Sequence, residues 1–375
     1  MKKKYRNYFN EIGICQEAID TRLKQIFNQL FYGEDAIYHQ IGDEMAYIED
    51  TGNHDARTEG MSYGMMMCVQ TNHKKEFDCL WNFAKTYMYM NDGENSGYFA
   101  WSVSPDGRKN SYGPAPDGEE FFAMALFFAS HRWGEGDGIY AYEREAKELL
   151  HTCIHKGENG AGRAMWDPDN YLIRFIPDRD FTDPSYHLPH FYELFAKWAY
   201  EEDREFWKKA AEASREFLKK ACHPITGLSA EYSTYDGAPY SDEQVIFGRH
   251  DWYYSDAYRT IANIALDYEW FMKEKDGGWH KDTAEKLQRF FGSTVKENDR
   301  AVYLIDGTVL QEKALHPVAM TAVNAQASLA SEGEYAAEFV RKLWETPLRE
   351  GERRYYDNCL YFFAFLALSG NYRMY

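Results

Sequence analysis

Residues 16 to 32 place Ile19, Leu23, Ile26, Phe27, Leu30 and Phe31 on one face, the three-to-four-residue spacing of a helix with one side turned to a core. Similar stripes, with charge opposite, recur near 74 to 90, 140 to 156, 204 to 222, 279 to 292 and 334 to 346. Between them lie segments of another kind, near 58 to 71, 119 to 132, 185 to 200, 253 to 270, 316 to 331 and 355 to 369, reading Met-Met-Met-Cys-Val, Phe-Phe-Ala-Met-Ala-Leu-Phe-Phe-Ala or Phe-Phe-Ala-Phe-Leu-Ala-Leu. A helix apolar nearly all round is one that protein covers on every side. The pattern predicts about twelve helices, half-exposed and buried ones in alternation.

Strict alternation of this sort predicts an all-α (α/α)6 barrel, six buried helices inside and six amphipathic ones around them, in a single domain spanning residues 1 to 375. One stretch departs from helical spacing: Ala301-Val-Tyr-Leu-Ile-Asp-Gly-Thr-Val-Leu310 alternates around Asp-Gly and predicts a short β-hairpin leaving the rim. Long Gly-, Asn- and Pro-rich connections at 91 to 118, 157 to 184 and 224 to 252 precede buried helices, while the returns are short. Long loops in a compact domain are usually functional. Glu59, Asp117, Asp183, Asp256, His316 and Asp357 fall at or near the amino-terminal ends of buried helices, so the barrel gathers them on one rim, some of them as helix caps.

A net charge of −18 argues against nucleic acid as a partner, and no basic run is longer than Lys2-Lys3-Lys4. No apolar run reaches membrane-spanning length. The opening residues are basic but lack the apolar stretch of a signal peptide. The six cysteines are scattered, without a C-x-x-C pair and mostly within apolar helical stripes, as free thiols would be. Together these features predict a cytoplasmic protein. Aromatic residues reach 17%, with 30 Tyr and 10 Trp, enough to build a core and also flat surfaces for sugar rings.

The chemistry is concentrated in Arg57-Thr-Glu-Gly-Met-Ser-Tyr-Gly-Met-Met-Met67, where one carboxylate, Glu59, heads an otherwise uncharged helix. Burial favours the neutral form of a carboxyl group and suits it to donate a proton. Asp117 and Asp256 occupy comparable positions beside aromatic residues. Two acids on different buried helices can flank a glycosidic bond, one as acid and one as base activating water. The adjacent Glu119 and Glu120 cannot, because neighbouring helical positions face apart.

The segments Thr58-Glu-Gly-Met-Ser-Tyr-Gly64, Gly113-Pro-Ala-Pro-Asp-Gly-Glu119, Asp183-Pro-Ser-Tyr186, Tyr254-Ser-Asp-Ala-Tyr-Arg259 and Arg354-Tyr-Tyr-Asp357 together resemble glycoside hydrolase family 8, an inverting (α/α)6 family, from about residue 40 onward. Ala100-Trp-Ser102, Tyr186-His-Leu-Pro-His-Phe191 and Leu315-His-Pro317 are most similar to the subgroup that removes xylose from the reducing ends of β-1,4-xylo-oligosaccharides. The resemblance implies Glu59 as proton donor, Asp256 as base, and Asp117 as the acid that binds the distorted sugar at subsite −1. Arg259 then orients the base, the Leu315-His-Pro317 loop closes the cleft past the +1 sugar, and His316 recognises the reducing-end hydroxyl of that sugar. Trp101, Tyr112, Tyr186, Tyr254 and Tyr356 complete the implied sugar site. The subgroup pattern carries Trp where this chain has Tyr112.

Other constellations point elsewhere or nowhere. His151-x-x-x-His155 has helical metal-ligand spacing, yet it lies on an amphipathic helix without an H-E-x-x-H pattern and predicts a solvated face. In His187-Leu-Pro-His190 the proline and the aromatic residue that follows predict packing or sugar contact. No phosphate loop or G-x-S-x-G elbow is present, so neither a cofactor nor a metal is expected. Competing readings are an endo-acting xylanase, an epimerase or lyase with His or Tyr bases, and a sugar-binding protein lacking catalysis.

Overall fold

The computed structural model describes residues 4–158, 160–241, 249–296 and 299–375. After a short helix α1 (Tyr8–Glu11), amphipathic helices α2 (Gln16–Tyr32), α4 (Lys74–Phe83), α6 (Tyr142–His155), α8 (Arg204–Ala221), α10 (Gly278–Arg289) and α12 (Ala336–Glu345) alternate with buried helices. The buried set is α3 (Thr58–Thr71), α5 (Pro116–Trp133), α7 (Pro189–Trp198), α9 (Tyr258–Asp267), α11 (Pro317–Gln326) and α13 (Arg354–Leu368). Each buried helix contacts the next, and α13 returns to α3, which closes the inner ring. The amphipathic helices α4, α6, α8, α10 and α12 each lie against a buried neighbour, and α2 lies against α13. This is the (α/α)6 barrel that the hydrophobic alternation predicts.

Side chains decide which helix goes inside. In α13 every residue from Tyr355 to Leu368 is buried, whereas α8 buries only the stripe Trp207, Ala210, Ala211, Ser214, Phe217, Leu218 and Ala221 and turns its lysines and glutamates outward. One continuous apolar cluster runs from Tyr8 to Tyr372. No described helix is long and apolar enough to cross a membrane. All six cysteines are free; Cys15 is exposed and the other five are buried.

The structure adds β elements at the rim. Strands β1 (Tyr38–Ile41), β2 (Met45–Asp50), β3 (Asp55–Arg57) and β4 (Ser102–Val103) form an antiparallel sheet in that order. Strand β2 buries Ala46, Ile48 and Asp50 in alternation, the period-two signal of a half-buried strand, too short to stand out beside the helices. The hairpin predicted at 301 to 310 is present as β6 (Ala301–Leu304) and β7 (Val309–Lys313). It carries a third strand, β5 (Trp252–Tyr253), on its β6 edge, so it braces the segment leading into Asp256.

Candidate active site

The amino-terminal ends of the inner helices converge on one guanidinium. Arg259, in the first turn of α9, reaches Glu59 Oε2 and Asp117 Oδ2 through Nη1, at 2.9 Å each. The same nitrogen donates to Tyr63 Oη at 3.0 Å. Through Nη2 it faces Asp256 Oδ1 at 3.4 Å and Asp183 Oδ2 at 4.0 Å. Its guanidinium carbon lies 5.5 Å from the ring centroid of Tyr186 and 6.0 Å from that of Tyr356. A planar five-donor cation is suited to bridging several carboxylates at once, and the negative charge around Arg259 more than offsets its burial, keeping it cationic.

Glu59 sits in the first turn of α3, where Gly60 lets the ring of Tyr355 close over the backbone; a Cβ at Gly60 would stand 2.7 Å from Tyr355 Oη. That hydroxyl donates to Glu59 Oε1 at 2.7 Å. Burial pushes the Glu59 carboxyl up to about 7 against the opposing pull of Arg259, with the charges of Asp117 and Asp256 adding to the rise. Asp117 is raised by burial as well, and Arg259 works against it. Its second oxygen accepts from the Gly118 amide at 3.0 Å. Gly118 is required here, since a Cβ would fall 2.4 Å from Thr58 Cβ, at the point where α3 and α5 bring their acids together.

Asp256 differs from both. Its side chain is 34% exposed, against 16% for Glu59 and 9% for Asp117, so water reaches it. One guanidinium links Glu59 and Asp256 through contacts of 2.9 and 3.4 Å. Ser255, just before the acid, has φ +34°, a strained geometry for a side-chain-bearing residue. It is held from both sides. Tyr356 Oη donates to the Ser255 carbonyl at 3.0 Å, and the Asp256 amide donates to Glu231 Oε1 at 3.4 Å.

His316 precedes α11, and its Nδ1 meets Asp357 Oδ2 at 2.8 Å. Asp357 also accepts from the amides of Val318 and Ala319, at 2.8 Å each, and from Arg349. An acceptor-only carboxylate at Nδ1 fixes the proton there and leaves Nε2 as an acceptor. Trp101 lies beneath the Arg57 guanidinium, 5.2 Å from its ring centroid, and its carbonyl accepts from the Thr58 amide at 2.9 Å. Tyr254 contacts Trp252 ring to ring at 5.1 Å. Tyr112 is 73% exposed, and its carbonyl is tied to Asn95 at 2.9 Å.

The structure thus brings Glu59, Asp117, Asp256, Arg259, Tyr186 and Tyr356 around one point, with His316 against Tyr356 at 4.7 Å between rings. Two of the rim acids serve the backbone. Asp183 accepts from the Ser185 amide at 2.7 Å, and Asp357 holds the start of α11 from a neighbouring helix. Glu119 and Glu120 turn apart, one to the Phe99 amide and one to the Tyr192 hydroxyl. His187 and His190 are packing residues: burial drives both down to about 3, and His187 stacks on Phe217 between Thr182 and Ser214. His151 and His155 lie on the partly solvated face of outer helix α6, 44% and 34% exposed, and both imidazoles also bond the buried Asp203, which the sequence did not show. Glu231 and Tyr355 escaped the sequence reading; Glu231 sits in a loop without a motif, and Tyr355 shows only as the neighbour of Tyr356.

The model for glycosyl hydrolases family 8 matches residues 39–370. The chain belongs to glycosyl hydrolase family 8. It is 56% identical over 373 residues, 99% of this chain and 97% of the relative, to the reducing-end xylose-releasing exo-oligoxylanase of Paenibacillus barcinonensis. The structure of that enzyme complexed with xylose superposes with a TM-score of 0.96 at 55% identity, covering 99% of this chain and 98% of the other. A mutant of the same enzyme complexed with an α-L-arabinofuranosyl-xylotetraose gives a TM-score of 0.95 at 55% identity, over 98% and 96% of the two chains.

The elevated Glu59 sets a pH dependence. A general acid works in its protonated form, so with Glu59 in that role kcat/KM would fall as pH rises through about 7, by about tenfold for each further pH unit. Initial rates on xylotriose across pH 5 to 9 check this, and a basic limb unaffected by Glu59→Gln residual-activity profiles would remove the assignment.

Proposed function

We propose that this chain is an inverting glycoside hydrolase that releases xylose from the reducing end of short β-1,4-xylo-oligosaccharides. The observation that carries the reading is the single guanidinium of Arg259 bonded to Glu59 and Asp117 and facing Asp256, supported by 56% identity to an enzyme of that activity over nearly the full chain. Protonated Glu59 donates to the glycosidic oxygen as the bond to the leaving xylose breaks. Ionised Asp256 takes a proton from the water that attacks the anomeric carbon from the opposite face. Asp117 holds the −1 sugar and offsets the positive charge that develops on its ring. Arg259 keeps the three carboxyls at fixed separations.

The exo character rests on His316. With Nδ1 bound to Asp357, Nε2 accepts a hydrogen bond from the reducing-end hydroxyl of the sugar at +1, where a longer chain would have no hydroxyl to offer. Trp101, Tyr112, Tyr186, Tyr254 and Tyr356 supply the sugar-contacting surfaces. His316→Ala is expected to lower kcat/KM by about 5- to 160-fold, the effect of one desolvated hydrogen bond worth about 1–3 kcal/mol, and to let cleavage stray from the terminal bond. Chromatography of xylotetraose products checks it; unchanged rate and unchanged product pattern would count against the role.

The continuous core from Tyr8 to Tyr372 supports one barrel domain, and the six free cysteines support action in a reducing compartment on oligosaccharides already taken up. The stereochemical test is proton NMR of fresh xylotriose hydrolysate. The newly formed reducing end of xylobiose should appear first as the α-anomer; initial β-anomer would contradict an inverting pair.

A further inference from the structure

We propose that His151, His155 and Asp203 form a binding site for a divalent transition-metal ion of the zinc class, which staples α6 to the start of α8. The two histidines stand one helical turn apart on α6, their rings 4.3 Å apart. Asp203, immediately before α8, presents both carboxylate oxygens to them: His151 Nδ1 lies 2.8 Å from Oδ2, and His155 Nε2 lies 2.7 Å from Oδ1. One ligand atom from each of the three residues lies within 4.8 Å of the others.

Three features separate this cluster from an ordinary surface pairing. Asp203 has a side chain only 1% exposed, and a buried carboxylate requires a compensating charge. Among the described residues no lysine or arginine pairs with it, so the two imidazoles are the charge partners present. His155 is flanked at both ring nitrogens, since Nδ1 meets Glu158 Oε1 at 2.7 Å while Nε2 faces Asp203. An imidazole between two acceptors carries two protons or has a cation in place of one. A carboxylate on the far nitrogen is the arrangement that fixes metal-bound histidines.

The donor set selects the ion. Two imidazoles and one carboxylate suit zinc and its neighbours, whereas magnesium and calcium favour all-oxygen shells. Around a tetrahedral zinc, ligand atoms stand about 3.3 Å apart. With one carboxylate oxygen and a water completing the shell, one N···O contact opens by about half an ångström and the ligand atoms now up to 4.8 Å apart close by up to about 1.5 Å, movements available to side chains that are 44% and 34% exposed.

The test uses untagged full-length protein freed of metal by EDTA dialysis and titrated with zinc chloride in a calorimeter, with magnesium chloride as control. One equivalent of zinc should bind and magnesium should not. Zinc at about a hundredfold excess over Kd should raise Tm by about 3 °C. His151→Ala and His155→Ala should each weaken binding by at least about tenfold and abolish the rise in Tm that zinc gives, each variant being compared with itself in EDTA. Failure of zinc to bind saturably, or binding by both variants as tight as wild type, would overturn the proposal.

Discussion

Glu59→Gln is expected to lower kcat/KM on xylotriose by about 10²–10⁴-fold, the usual contribution of a positioned general acid. The leaving group is a sugar alkoxide, too basic to depart without a proton. In this chain Glu59 is the buried carboxyl that combines a value raised to about 7 with a place on the guanidinium shared with Asp256. Glutamine keeps the shape and can still accept from Tyr355, so the fold should persist, as near-ultraviolet circular dichroism would report. A substrate whose leaving group needs little protonation, such as a β-xylobiosyl fluoride, should lose far less activity. Equal loss on both substrates, or retention of a tenth of wild-type activity on xylotriose, would remove Glu59 from the role of acid.

Asp256→Asn should be at least as damaging and should show the opposite pattern. Removing the base leaves the attacking water unactivated whatever the leaving group, so xylotriose and the fluoride should both lose about 10²–10⁴-fold. Asp256 is a third exposed, and its removal takes little from the core. It also takes away one of the charges that raise Glu59, so the Glu59 carboxyl should titrate at a lower pH in the variant, measurable by carbon NMR of labelled glutamate. Activity on the fluoride comparable to wild type would transfer the role of base to another group, such as Asp183, 4.0 Å from the same guanidinium, or Glu231, which accepts from the Asp256 amide.

The barrel was legible because inner and outer helices obey different rules. A residue on α13 has protein on every side and one on α8 has water on half, and that difference is written in composition. The helix ends were less legible: α4, α9 and α10 continue into wider π turns at Ala84–Met88, Tyr268–Met272 and Phe290–Thr294, where hydrogen bonding changes without a change in hydrophobic spacing. Strands β1 to β3 are short, and their alternation competes with turn residues at 42 to 44 and 51 to 54.

Glu59, Asp117 and Asp256 could be found because each opens a buried helix beside residues with no other need for charge. Their assembly on Arg259 could not, since it spans 142 positions to Asp117 and 200 to Glu59. Asp183 and Asp357 read as equals of the other rim acids, and only the amides they accept from separate a cap from a cleft residue. The partner that gives His151 and His155 their setting, Asp203, stands on a different helix start, 52 residues beyond His151.

A grip on the reducing end is tested most directly by where a labelled trimer is cut. Xylotriose carrying carbon-13 only in its reducing-end residue is hydrolysed to low conversion, and the products are separated and weighed by mass spectrometry. Labelled xylose and unlabelled xylobiose are the expected products. Labelled xylobiose together with unlabelled xylose would mean that the enzyme cuts from the other end, and would contradict that grip.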